Sequence, residues 1–248
     1  FLARVLSKLR ESREQQKELT GFIVHDLRSP ISSAITGLIT LEQTGHLGEL
    51  EQEMVTLALV SNQRALSLVN SMLDVAKLES GKMELRTEAV ALDRFVDDAF
   101  DQVALWARSH EIGLVKEVHV ATAMLDPALT MRILVNLLSN ALKFSPPGSN
   151  VVVHVDPSPK DGIRFAVQDH GPGIPPEYAE RIFEPFSQVK GTQGGTGLGL
   201  TFCRLAVHAQ GGRIWVDSHL GKGTSMIFTL PHAQTLPSES AKPALEKV

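Results

Sequence analysis

The sequence predicts an α+β protein in which an N-terminal helical hairpin precedes a sandwich of helices on a mixed sheet. Three observations support this prediction. Apolar residues recur at helical spacing up to about residue 80, with one turn signal between them. After Gly81, short alternating runs and helical runs mix without strict alternation, which favours α+β over a doubly wound parallel fold. A glycine cluster at 191–199 (GTQGGTGLG) then precedes another helical run.

The composition limits the possible functions. The 248 residues are 43% hydrophobic and 21% charged, which is typical of one large or two ordinary globular domains. The net charge of −4 argues against a nucleic acid partner, and no apolar run approaches the roughly 18–20 residues that span a bilayer. Because the one cysteine, Cys203, cannot form an internal disulfide, we expect a cytoplasmic location. The start at Phe1 predicts a longer parent protein, which could be attached to a membrane upstream.

The first 80 residues predict a helical hairpin. Residues 1–43 form one predicted helix, with 1–18 as a coiled-coil lead-in, and 43–48 (QTGHLG) indicate a turn. A second helical stripe continues to about Ser80, where Gly81 can end the helix. Since two helices leave each apolar stripe half covered, residues 19–80 predict a homodimer that closes a four-helix bundle.

A second domain is predicted over residues 81–231. It begins with a brief alternating run at Met83–Arg86. Helices follow at about Leu92–Ser109, Pro127–Phe144 and Leu200–Gln210, and strands at Val115–Val120, Asn150–Asp156, Ile163–Asp169, Arg213–Ser218 and Thr224–Leu230. Residues 232–248 are predicted to be a disordered tail.

The first candidate site is the stretch HDLRSP, which places His25, Asp26 and Arg28 on neighbouring helix positions. A histidine beside an acidic residue that can take its proton is a candidate nucleophile. The alternative is a solvated His–Asp pair in a coiled coil. Pro30 predicts a kink, because proline removes a donor and clashes with the preceding turn.

The second candidate is the polar face of the predicted helix at 127–144. Asn136, Asn140 and Lys143 are four and three residues apart, so they share one face. Amide oxygens suit a hydrated Mg²⁺ and an ammonium suits phosphate, which fits a nucleotide triphosphate. The alternative is a polar face that is merely exposed.

Two glycine-rich segments are the remaining candidates. After a strand, Gly171 and Gly173 let the backbone pass close to a flat ligand, and Asp169 can accept a hydrogen bond from an exocyclic amine, although an ordinary Asp-capped turn is the alternative. Residues 194–200 (GGTGLGL) open a helix, where free N–H groups form an anion site. The segment is neither a P-loop, since no GK[ST] follows, nor a dinucleotide-binding fingerprint.

In combination, HDLRSP, NLLSNALKF, DHGPGIP, RIFEPF and GGTGLGL resemble, in this order, five motifs of bacterial sensor histidine kinases of two-component systems: the H, N, first-glycine, F and second-glycine boxes. The resemblance covers about Leu19–Pro231. It implies a dimerisation and histidine phosphotransfer (HisKA) domain at 19–80. It also implies a Bergerat-type ATP-binding domain (HATPase_c, of the GHKL class) at 81–231. The implied activity is ATP- and Mg²⁺-dependent autophosphorylation, followed by transfer to an aspartate of a response regulator receiver domain.

The resemblance implies a role for each residue of the first motif. His25 is the phosphoacceptor, Asp26 the base, and Arg28 the basic residue that helps with charge on the phosphoryl group. Ser29 occupies the position where phosphatase-competent members often carry Thr or Asn, which leaves phosphatase activity open.

The resemblance also implies the nucleotide contacts. Asn140 ligates Mg²⁺ with Asn136 beside it, Lys143 contacts the phosphates, and Asp169 binds the adenine amine. Residues 184–199 form a mobile lid. Further implied contacts are Phe144, Gly171, Gly173, Ile174, Phe183, Phe186, Gly195, Thr196, Gly197, Leu198 and Gly199, of which Phe183 and Phe186 anchor the lid.

Three other functions are alternatives to histidine phosphorylation. Related gyrase-type ATPases carry a catalytic glutamate on the equivalent helix, whereas this helix has no acidic residue between Asp126 and Phe144, which favours transfer to His25 over hydrolysis. A nucleotide-binding dimeric pseudokinase scaffold is an alternative. A serine kinase of the anti-sigma type is another, and the first 80 residues argue against it.

Phosphoryl transfer requires the two domains to close on one another, so a hinge between them is predicted at 80–82.

Overall fold

A computed structural model describes residues 27–43, 45, 47–81, 83–158, 162–187 and 196–231. Several predictions lie outside these residues. They concern the lead-in helix at 1–18, the tail at 232–248, and the site residues His25, Asp26 and Gly195. Among the helices that the structure describes, none is long and apolar enough to cross a bilayer.

The described N-terminal part is a helical hairpin, as the sequence predicts. Helix α1 covers residues 27–43 and helix α2 covers Glu49–Glu79. The N–H of Gly45 donates to the carbonyl of Leu41 at 2.8 Å, which closes the end of α1. Gly81 has a φ of +65° and follows Ser80, the C-cap of α2, as expected for a glycine that ends a helix. Residues 27–43 are helical through Pro30, and the kink stays a prediction because the preceding turn lies outside the described residues.

One copy of the hairpin leaves apolar side chains uncovered. Only a few residues of α2 are buried, among them Val55 and Leu59. Leu50, Met54 and Leu57 follow one another at spacings of four and three and form an exposed apolar stripe, with Leu57 at 68% exposure. An exposed apolar stripe is typical of a surface that contacts another molecule.

The second part of the chain, residues 83–231, is named the sandwich domain here. Within the part of this domain that the structure describes, the main sheet has five strands in the order β2-β4-β5-β7-β6, and only β2 and β4 are parallel. A small antiparallel sheet pairs β1 with β3. The strands are β1 Glu88–Ala91, β2 Gly113–Val118, β3 Thr122–Leu125, β4 Asn150–Ser158, β5 Gly162–Gln168, β6 Arg213–His219 and β7 Gly223–Leu230; the helices are α3 Leu92–Ser109, α4 Pro127–Phe144 and α5 Gly199–Ala209.

The core of the sandwich domain lies between the main sheet and these three helices. Alternate residues of β4 are buried, most residues of β7 are buried, and the ring centroids of Phe165 on β5 and Phe228 on β7 lie 4.7 Å apart in a stacked pair. Helix α4 starts at Pro127 after the N-cap Asp126, whose side chain accepts the N–H of Leu129 at 2.9 Å. Cys203 is fully buried in the core, and burial raises the pKa of its thiol to about 12.

The structure corrects the prediction at the small sheet and at β2. The alternating run at Met83–Arg86 forms no strand, and β1 begins later, at Glu88. The predicted strand at Val115–Val120 is displaced to Gly113–Val118, and β3 has no counterpart in the prediction. Both β1 and β3 have four residues, so neither carries enough of a period-two pattern to be recognised without its partner.

The end of α2 packs on the sandwich domain. Val75 and Leu78 belong to the same buried cluster as core residues of α4 and α5. The hairpin and the sandwich domain therefore meet just before the predicted hinge at 80–82.

Candidate functional site

A cavity of about 300 Å³ opens between α4, β5, β7 and the start of α5. Its size is at the lower end of the range for small-molecule sites. Ten of the residues singled out by the sequence line it: Asn136, Asn140, Lys143, Phe144, Asp169, Gly173, Ile174, Thr196, Gly197 and Gly199. Segments that lie far apart in the sequence thus converge on one cavity.

Asp169 lies just past the end of β5 and is 7% exposed. Its Oδ1 accepts the backbone N–H groups of Gly171 at 2.8 Å and Thr224 at 3.1 Å. Both of these hydrogen bonds end on Oδ1, so Oδ2 has acceptor capacity left for a ligand. Burial raises the pKa of this carboxyl above its ordinary value, and the two N–H donors oppose that shift.

Two glycines shape the turn after Asp169. Gly173 has a φ of +80°, and a Cβ there would overlap the carbonyl oxygen of His219. At Gly171 a Cβ would lie 2.9 Å from the carbonyl oxygen of Phe144. The N–H of Ile174 donates to Ser218 Oγ at 2.8 Å, which ties the turn to β6. The backbone can follow this path only with glycines at both positions.

The polar face of α4 forms another wall of the cavity. Asn136 Nδ2 donates to the carbonyl of Arg132 at 2.9 Å, and its Oδ1 would lie 3.2 Å from a Cβ placed on Gly199. Asn140 follows one turn later. The ammonium of Lys143 lies 4.9 Å from the centroid of the Phe144 ring, and burial lowers the pKa of this lysine.

The start of α5 is joined to the segment that follows the F motif. Phe186 has a φ of +60°, and its N–H donates to the carbonyl of Gly197 at 3.1 Å. A Cβ on Gly197 would lie 2.7 Å from Phe186 Cα. This contact joins the segment before residues 188–195 to the segment after them; residues 188–195 themselves lie outside the described residues.

Of the described residues that the resemblance assigns to the nucleotide, four do not line the cavity. Phe183 packs in the core, and Leu198, the N-cap residue of α5, is buried. Phe186 is 60% exposed. Gly171 contacts Asp169 instead, because its backbone N–H donates a hydrogen bond to the Oδ1 of that carboxylate.

The described residues of the first motif lie elsewhere. Arg28 and Ser29 are exposed on α1 and do not line the cavity. Arg28 Nε donates to Asn70 Oδ1 on α2 at 3.0 Å, which joins the two helices of the hairpin. His25 and Asp26 precede the first described residue.

Sequence reasoning missed three residues around Asp169. Thr224 donates its N–H to the carboxylate, Met226 lines the cavity, and Ser218 accepts the N–H of Ile174. The sequence signal at Thr224 is only its place after a Gly-Lys-Gly hairpin turn. Its contact with Asp169 spans 55 positions and depends on the pairing of β5 with β7.

The chain joins a helical hairpin to a sandwich domain, whose cavity lies at the glycine-containing turn after Asp169. Two family profiles match these two parts. The profile of the His Kinase A (phospho-acceptor) domain matches residues 15–81. The profile of the histidine kinase-, DNA gyrase B- and HSP90-like ATPases matches residues 125–234. The chain therefore belongs to the family of two-component sensor histidine kinases.

Individual relatives agree with this assignment. The adaptive-response sensory kinase SasA of Synechococcus sp. (strain JA-3-3Ab) is 29% identical over 91% of this chain and 62% of its own length. The sensor histidine kinase WalK of Bacillus subtilis (strain 168) is 29% identical over 89% of this chain and 37% of its own. The chain thus spans about three fifths or less of the length of these relatives.

Solved structures show the same arrangement of elements. Full-length ShkA in complex with AMPPNP superimposes with a TM-score of 0.80 at 30% identity, over 88% of this chain and 46% of that chain. The mycobacterial sensor histidine kinase MprB gives a TM-score of 0.53 at 29% identity, over 59% of this chain and 98% of that chain. The fold predicted from the sequence, a helical hairpin followed by a Bergerat-type sandwich, is confirmed.

Proposed function

We propose that this chain is the kinase core of a sensor histidine kinase: it binds ATP in the cavity, phosphorylates itself on His25 and passes the phosphoryl group to an aspartate of a response regulator. The observation that carries the proposal is the cavity itself. It combines a buried carboxylate, Asp169, with the amide and ammonium groups of α4, in a chain that also has a phosphoacceptor-type hairpin.

The nucleotide base would lie against Asp169. Its exocyclic amine would donate to Oδ2, since the described donors at this carboxylate use Oδ1. Apolar residues of the lining, including Ile174, Val167 and Met226, would contact the faces of the base. The phosphates would then extend toward Lys143 and the N–H groups at the start of α5.

The same cavity fits a magnesium ion. Within the described residues no cluster of three or more His, Cys, Asp or Glu side chains could hold a metal, so an all-protein metal site is not formed there. Mg²⁺ binds instead through one or two protein oxygens, water and phosphates, and the Asn140 amide oxygen, with Asn136 beside it, suits this mode. When bound, the ion would neutralise negative charge on the phosphates.

The transfer step uses the first motif. A neutral ring nitrogen of His25 would attack the γ-phosphorus of ATP, and the bond from this phosphorus to the β,γ-bridging oxygen would break, so that ADP leaves. Asp26 would accept the imidazole proton, and Arg28 would balance charge on the phosphoryl group. A receiver aspartate would then attack the phosphorus and release His25.

The hairpin would work as a homodimer. The exposed stripe formed by Leu50, Met54 and Leu57 needs a cover, and a second copy of the hairpin provides a matching one in a four-helix bundle. The input signal would reach the bundle through the lead-in predicted at residues 1–18.

The proposal is tested by incubating the chain with γ-labelled ATP and Mg²⁺ and then with acid or alkali. We expect label that acid removes and alkali retains, as for phosphohistidine. His25→Gln and Asn140→Ala should abolish it, whereas His119→Gln, a histidine on the sandwich domain, should retain it. Mg²⁺-dependent nucleotide binding without label would instead support a nucleotide-binding scaffold.

A further inference from the structure

An ion pair joins the hairpin to the sandwich domain next to their apolar contact. Asp74 Oδ2 on α2 lies 2.8 Å from Arg132 Nη2 on α4. The neighbouring residue Val75, together with Leu78, is buried against the sandwich domain. The charged contact thus lies at the edge of the apolar one.

Arg132 is held by more than its ion pair. Its guanidinium lies over the ring of Phe202 on α5, 4.1 Å from the centroid, and its carbonyl accepts the amide of Asn136. A planar guanidinium can stack on a ring and still direct a donor at a carboxylate. One side chain therefore connects α2, α4 and α5.

The ion pair lies one helical turn from a residue of α2 that contacts the first motif and one turn from a residue of α4 that lines the cavity. One turn before Asp74, Asn70 accepts the hydrogen bond of Arg28, which follows His25 by three positions in the sequence. Residues four apart share one face of a helix, so the same face of α2 meets α1 and the sandwich domain. One turn after Arg132, Asn136 begins the polar face that lines the cavity.

We propose that Asp74 and Arg132 are positioning residues, whose ion pair docks the sandwich domain on α2 in the placement that lets bound ATP reach the phosphoacceptor. This inference rests on the proposed function. Neither residue lines the cavity. The pair should therefore control the rate of transfer and leave the affinity for the nucleotide unchanged.

Charge reversal tests the inference. In the full chain, Asp74→Arg and Arg132→Asp should each lower the single-turnover labelling rate at saturating Mg-ATP by about tenfold, within the range of measured pair couplings. The double variant should restore the rate to within about threefold of the parent, because the pair re-forms with its charges exchanged. The dissociation constant of a fluorescent ATP analogue should stay unchanged in all three, which also reports that the sandwich domain is folded.

Two control variants test whether the effect depends on the charge of Asp74 and on this particular ion pair. Asp74→Asn is a milder change that removes the charge and keeps the shape, and it should slow labelling in the same direction. Asp156→Asn removes the partner of Arg164, an ion pair 3.4 Å long within the sandwich domain, and should leave the rate unchanged.

The results that would overturn the positioning role differ from the result that would overturn the proposed function. Single variants that label as fast as the parent or faster would overturn the positioning role, and so would a double variant that is as slow as the singles. A loss of nucleotide affinity in the singles would overturn it as well. No label in the parent chain itself would overturn the proposed function, and this inference with it.

Discussion

The sandwich domain and the hairpin differ in how they bury their apolar residues. The sandwich domain closes its own core: Phe165, Phe228 and most of the apolar face of α4 are almost fully buried within one chain. The hairpin has few buried residues and leaves an apolar stripe exposed. The comparison teaches that the cavity is built within one copy of the chain, whereas the proposed role of the hairpin needs a second copy to cover its exposed stripe.

The largest expected effect is a loss of stability in the core of the sandwich domain. Phe165→Ala removes a stacked, fully buried ring, so we expect the free energy of unfolding of the sandwich domain to fall by about 3–5 kcal/mol. Chemical denaturation followed by circular dichroism measures it. The matched change on an exposed apolar residue, Leu105→Ala on α3, should stay within about 0.5 kcal/mol. Equal effects of the two changes would contradict the described core.

The second prediction concerns the nucleotide site alone. In Asp169→Asn the amide oxygen can still accept the N–H groups of Gly171 and Thr224, but the amide nitrogen then presents a donor to the adenine amine. We expect the affinity for Mg-ATP to fall by about 100-fold, which corresponds to about 2.7 kcal/mol, by calorimetry. Dimerisation should be unchanged. Asp156→Asn, on another part of the sheet, is the control, and a similar loss there would argue against a specific role for Asp169.

The third prediction concerns the hairpin alone. Leu57→Glu places a charge in the exposed apolar stripe, so we expect the dimer dissociation constant to rise by at least about tenfold. Analytical ultracentrifugation measures it, and the affinity for ATP should not change. Leu105→Glu, an exposed apolar position of the sandwich domain, should leave the dimer intact. A dimer that tolerates Leu57→Glu would mean that a different face is covered.

The smallest expected effect is a dependence on pH. The folded-state pKa of Asp169 is raised by burial, so proton binding to this group favours the folded state; this stabilisation is fully present below the unfolded-state pKa and is lost as the pH rises through the folded-state pKa. At pH 7 the carboxylate therefore carries a net cost to the nucleotide-free protein. Asp169→Asn should raise the melting temperature slightly at pH 7, and this gain should shrink on acidification. A lower melting temperature at pH 7 would contradict this account of the buried carboxylate.

The elements with strong local signals could be predicted from the sequence. Helix α4 follows from its period, from Asp126 as N-cap and from Pro127 in the first turn, and its predicted bounds are confirmed. Helix α3 is also confirmed at Leu92–Ser109. The short strands β1 and β3 could not be predicted, because each is defined by its partner.

The residues of the site also fall into those that the sequence could predict and those that it could not. Asn136, Asn140 and Lys143 lie on one helix, so spacing alone places them on one face, and the structure turns that face toward the cavity. Thr224 and Ser218 reach the turn at Asp169 only through strand pairing, and Asp74 meets Arg132 only through packing between the two parts of the chain. Contacts between distant segments leave no local pattern in a single sequence.

The most direct test of the central claim is a single-turnover reaction with Mg-ATP, in which ADP is counted and the phosphorylated residue is located by tandem mass spectrometry under conditions that preserve phosphohistidine. The account predicts one ADP for each phosphorylated chain, with the phosphoryl group on His25. ADP with an equal amount of free phosphate and unmodified His25 would instead indicate an ATP hydrolase and would contradict the account.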